Sequence, residues 1–165
     1  MLLTTEMEAI NLLPELDVTK TGKNVRKFFR HDWPHYLNRA GTTPAELKSP
    51  GFDAIPKNPS LENSQEHKMM VILEAQTVIA CVMDTLRSCR EAHREVLSYC
   101  YIDGLPDWKV AQKMGYSDAQ QQRIKAQACC EFAERLDFYQ TRFKLDLPEL
   151  QAFKKDADDS SMIAS

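Results

Sequence analysis

Glycine is scarce in this chain, five in 165 residues, and no long alternating apolar pattern is present. Both absences argue against sheet and for helix nearly throughout. No run of 18 or more apolar residues occurs, so no membrane span is expected. The opening Met1-Leu2-Leu3-Thr4-Thr5-Glu6 lacks a basic region and does not read as a signal peptide. Cys81, Cys89, Cys100, Cys129 and Cys130 include no CxxC pair. They stand where a helical pattern wants small apolar residues, which predicts reduced, buried thiols in a cytoplasmic protein. Cys129 and Cys130 are adjacent; on a helix they point about 100° apart and do not make half of a zinc site. There is no Gly-rich phosphate loop, no GxSxG and no HExxH. Asp17, Asp53 and Asp107 lie in no catalytic pattern, and His31 and His35 have Pro34 between them and no third ligand. The expectation is a chain with no catalytic residues, no metal and no cofactor.

A strong charge imbalance is also lacking: the net charge is −3. The distribution is uneven, however. Residues 20–39 carry Lys20, Lys23, Arg26, Lys27, Arg30 and Arg39 against Asp32, six minus one, or +5. Residues 144–165 carry three lysines against five acids, or −2.

Along the chain, residues 5–16 read as a short helix ending near Pro14. Val25, Phe28, Phe29 and Tyr36 mark a second, opened by Thr19 or Thr21 and bent or stopped at Pro34. Residues 41–61 contain Gly41, Pro44, Pro50, Gly51, Pro56 and Pro59 and predict a linker. A long helix follows from about Glu62 to Arg90, apolar on two flanks, and then another from Arg94 to Asp103, stopped by Gly104. The expected division is an N-terminal helical segment (1–40), a Pro/Gly-rich linker (41–61), a helix-turn-helix domain (62–145), and a short helix with an acidic tail (146–165).

The most informative segment runs from Leu105 to Ala128. Pro106 stands where a first helical turn tolerates it. Val110 and Met114 face inward, and Ala111 is small enough for a close crossing. Gly115 can close the helix in the left-handed conformation, and Ser117 is a strong N-cap for the next helix, with Asp118 at its positive end. Ile124, Ala128 and Phe132 mark the inner side of that helix. Ala119, Gln120, Gln122, Arg123 and Gln127 lie outward, and Arg and Gln suit guanine and adenine edges in a major groove. Lys109, Lys113 and Lys125 suit phosphates. Trp108 reads as a partly buried anchor. The basic stretch with Lys20, Lys23, Arg26, Lys27 and Arg30, interleaved with Phe28 and Phe29, reads either as a secondary DNA contact or as a helix with a buried aromatic face and a solvated basic one.

Arg94-Glu95-Val96-Leu97 with Tyr101, Val110-Ala111, Met114-Gly115 and the helix opened by Ser117 resemble region 4 of sigma factors. The chain resembles more closely the ArpU family of phage late transcriptional regulators. Leu12-Leu13-Pro14-Glu15-Leu16-Asp17, Thr21 and Asn24-Val25 match that family's N-terminal element. Gly115-Tyr116-Ser117, Arg123-Ile124-Lys125, Ala128 and Phe132-Ala133 match its turn and second helix. The resemblance spans about residues 10–36 and 62–136. It implies an all-α, sigma region 4-like bundle from a phage or prophage of Gram-positive bacteria, activating a late operon for packaging, structural and lysis functions. Double-stranded DNA is the implied partner, with host RNA polymerase and a second copy of the chain as further candidates. Gln121 and Gln122 stand where the family has aromatics, and an unpaired buried amide at 121 costs about 1–3 kcal/mol. Two alternatives remain: a small-terminase-like packaging protein, and a protein-interaction module built on a degenerate helix-turn-helix.

Overall fold

The computed structural model describes residues 14–49 and 65–155. The first helix, α1 (Val18–Lys27), opens at Asp17, whose carboxylate accepts the Lys20 backbone N–H at 3.1 Å. Neither Thr19 nor Thr21 provides the cap; Thr21 is buried. The chain does not stop at Pro34. It passes through a wide π turn, Phe28–Asp32, into α2 (Trp33–Ala40). Proline removes one helical N–H and crowds the carbonyl four residues earlier. Here the Trp33 N–H reaches back five residues to Phe28, and the wider turn makes room for the Pro34 ring.

The expected linker begins as packed structure. Thr43-Pro44-Ala45-Glu46 forms a reciprocal capping box, with Thr43 N–H donating to Glu46 Oε2 at 3.1 Å. It starts a single helical turn, α3 (Pro44–Leu47), which buries Leu47 in the main core. Residues 50–61, the rest of that stretch, lie outside the described residues, as do 1–13 and 156–165. Most of the proposed 5–16 helix and part of the acidic tail therefore lie outside them as well.

The long helix is α4 (Glu66–Ser88). Its second half buries Val78, Ile79, Cys81, Val82 and Leu86. By length and composition α4 could cross a membrane, with mean hydropathy 1.6 in its most apolar window, although no such helix was expected. It packs on α2 and on the last helix. After it come α5 (Glu91–Leu97), a second π turn (Ser98–Ile102), α6 (Asp107–Met114) and α7 (Asp118–Arg142).

The last of these, α7, touches α1, α4, α5 and α6. Phe132 at its middle meets Phe29 from the first π turn at 5.2 Å between centroids. Phe29 stacks on Tyr101 from the second π turn at 4.7 Å and 5°. Phe28 and Trp33 present their edges to the same ring. Such pairs contribute about 0.5–1.5 kcal/mol each beyond the burial of apolar area. The N-terminal helices thus share one core with α4 and α7.

The short helix expected from 146 onward does not form in the described part. Residues 145–152 take no regular secondary structure, and Phe153 makes an isolated antiparallel bridge with Leu16. Leu147 and Leu150 are buried. The Asn24 amide donates to the Leu150 carbonyl at 3.2 Å, and the Thr21 hydroxyl accepts from Ala152 N–H at 3.1 Å. Asp17 N–H donates to the Ala152 carbonyl at 2.7 Å. The residues of the N-terminal element quoted above thus hold the C-terminal segment in place, and Val25 fills the core beneath.

Candidate nucleic-acid interface

Helix α6 ends at Gly115, which has φ +72°, a left-handed conformation that side chains with a Cβ adopt only with strain. Tyr116 N–H returns to the Ala111 carbonyl at 2.9 Å. Ser117 then caps α7, its hydroxyl accepting Gln120 N–H at 3.2 Å. A helix, a three-residue turn and a second helix result. Val110 and Ala111 are buried at the crossing.

The first turns of α7 are open. Ser117, Asp118, Ala119, Gln122, Arg123 and Gln127 are exposed, and Gln120 is half-buried. Lys109 and Lys113 are exposed on α6, Lys113 lying 5.4 Å over the Tyr99 ring. Lys109, Lys113 and Lys48 line one groove with Asp103. Lys20, Lys23, Arg26, Lys27 and Arg30 are all exposed.

Lys125 departs from the expected set. It is 8% exposed, and its ammonium binds Asp107 Oδ1 at 2.8 Å beneath the Tyr101 ring. It fastens the start of α6 to α7, its charge paired with that carboxylate. The inner stripe of α7 is Gln121, Lys125, Ala128, Cys129 and Phe132, with Ile124 only half-buried. That rotates the inward face slightly from the expected one.

Asp107 was not anticipated as part of this arrangement. Burial raises its carboxyl pKa, but Lys125, Gln122 and Cys100 outweigh that and hold it below the ordinary carboxylate value. The Gln122 amide donates to its Oδ2 at 3.4 Å, which gives one outward amide a resting position. No local pattern marks Asp107, because its partner lies 18 residues on. Trp108 is also placed differently from the reading: it is 64% exposed beside the open turns.

Gln121 is 1% exposed, as its position demanded. Its Nε2 reaches only the Cys100 sulfur, at 4.0 Å, and its Oε1 is buried without a hydrogen-bond partner. All five cysteines are free. Burial pushes Cys89 and Cys129 up to about 12 and Cys81 and Cys100 up to about 11, so these four thiols are poor nucleophiles at neutral pH.

Fold and site together define an all-helical protein that presents the start of a long helix, rich in amides and one guanidinium, after a tight glycine turn. The chain is similar to a curated protein of Enterococcus hirae described as "Putative autolysin regulatory protein ArpU". The two are 27% identical over 127 residues, covering 76% of this chain and 92% of the relative. No protein-family model matches the chain, and no solved structure gives a significant match.

Proposed function

We propose that the chain is a sequence-specific regulator of transcription that binds duplex DNA through the start of α7. The observation that carries this reading is the uncovered face at Ala119, Gln122 and Arg123, held out by the Gly115 turn and the Ser117 cap. A helix presented in this way fits the major groove, where Arg pairs with guanine and Gln with adenine. Lys109 and Lys113 would set its register on the phosphates. The regulatory name of the E. hirae relative supports the same reading. Following the resemblance read from the sequence, the target is a late operon of a phage or prophage, and the effect is activation.

The test is a footprint on duplexes selected with the wild-type chain. Arg123→Ala should weaken specific binding by about 1–3 kcal/mol and relax the preference at one base position. An unchanged footprint and base preference would remove α7 from the groove. A second reading, a protein-interaction module, draws on the exposed Trp108. It would be favoured if the wild-type chain failed to retard duplex DNA in a salt-dependent way, since phosphate contacts release counterions.

A further inference from the structure

We infer that α1 is a second DNA-contacting element, a phosphate rail beside the α7 reading face; this rests on the reading of α7 given above. Lys20, Lys23, Arg26, Lys27 and Arg30 repeat at steps of three and four residues, so they share the solvent side of α1 and its π turn. Thr21, Val25, Phe28 and Phe29 are buried on the other side.

The fold sets this ridge against α7. Lys23 and Arg26 share a groove with Gln122, Lys125 and Ala126. Arg30 lines the next groove with Pro106, Asp107 and Lys125, at the start of α6. The ridge therefore borders the same open turns that carry Gln122 and Arg123. Contact between α1 and α7, and the Phe29–Tyr101 stack, fix it there.

Among the described residues, none of the five cations enters an ion pair. Lys48, Arg87, Arg90, Lys125, Arg135 and Lys154 each have a carboxylate. Among the described residues the ridge is thus a row of positive charge without ion-pair partners, on a chain of net charge −3. From Lys23 to Arg30 it extends about 10 Å along the axis. Phosphates on one strand of a duplex repeat about every 3.4 Å of its axis, so the row can meet several of them. It offers only charge, which attracts phosphate without reading sequence. An acidic protein surface would also be attracted to the ridge, but would leave the neighbouring amides and Arg123 without base edges to meet.

The experiment is fluorescence anisotropy of the full-length chain on a random-sequence 30-base-pair duplex and on the best duplex from an in vitro selection, over a range of salt. The variant is Lys23→Gln/Arg26→Gln/Lys27→Gln, with unfolding curves to verify its fold. A control, Arg142→Gln/Lys144→Gln, lies about 30 Å along α7 from Arg123. The expected result is a loss of about 10-fold or more in affinity for both duplexes, and a slope of log K against log salt that is smaller by about 3. The base preference should be preserved and the control silent. A folded triple variant that keeps the wild-type slope and affinity overturns the inference and leaves the α7 reading standing. A triple variant that changes base preference without changing the slope also overturns it. A wild-type chain that binds neither duplex defeats both.

Discussion

Gln121 is an amide in a place that an apolar side chain would fill with less penalty. One of its polar atoms has a weak sulfur partner and the other has none. Removing an unsatisfied buried group while keeping its volume is stabilising. Gln121→Leu should raise stability by about 1–2 kcal/mol, or about 2–8 °C in Tm, read by calorimetry. A fall in Tm would mean that the amide oxygen has a partner after all. The ion pair nearby is asymmetric: the Lys125 side chain is 10% exposed and that of Asp107 is 40%. Removing the carboxylate strands a buried ammonium, whereas removing the ammonium leaves a carboxylate that water can reach. Asp107→Asn should cost about 1–3 kcal/mol in urea unfolding, and Lys125→Met less than about 1 kcal/mol. Equal costs would contradict that asymmetry. From sequence alone Lys125 looked like one more surface cation, because nothing within four residues of it shows the carboxylate it binds.

Between elements, α5 is held to α7 by Glu131. Its Oε1 accepts the Arg90 backbone N–H at 2.7 Å and lies 3.2 Å from His93 Nδ1, while Arg135 approaches from the next turn. Burial works to raise this carboxyl, yet those three partners together hold it below its ordinary value. A carboxyl depressed by folding adds stability that is complete above its unfolded pKa and is lost as pH falls through the folded one. The wild type should therefore exceed Glu131→Gln by a margin that is present above about pH 5 and shrinks as the pH falls further. Unfolding midpoints at a series of pH values would show it; a margin that grew toward acid would refute the sign. The segment from Leu105 to Ala128 could be read in advance because its determinants are local. Gly115, Ser117 and their partners all fall within a few residues. The capping box at Thr43 is equally local, but the density of proline and glycine around it pointed to a linker. Pro34 argued for a break; the wide turn at Phe28–Asp32 instead makes room for its ring and lets the helix run on.

At the scale of the whole molecule, the all-α class was legible in the sequence, because scarce glycine and absent alternation are global signals. The irregular course of residues 145–152 was not, since its partners, Thr21 and Asn24, stand 126 to 131 positions earlier. Leu147 and Leu150 were spaced well enough for a helix; burial under α1 decides otherwise. The N-terminal element quoted for the family resemblance reads differently in three dimensions as well. Asp17 caps, Thr21 and Asn24 fasten the far end of the chain, and Val25 fills the core.

That long-range fastening has a bearing on biosynthesis. Until residues 147–152 have emerged during synthesis, Thr21 and Asn24 lack the carbonyls of Ala152 and Leu150, and the core lacks Leu147 and Leu150. A chain cut short before Leu147 would lose those contacts and meet the chaperones and proteases of the cell less fully packed.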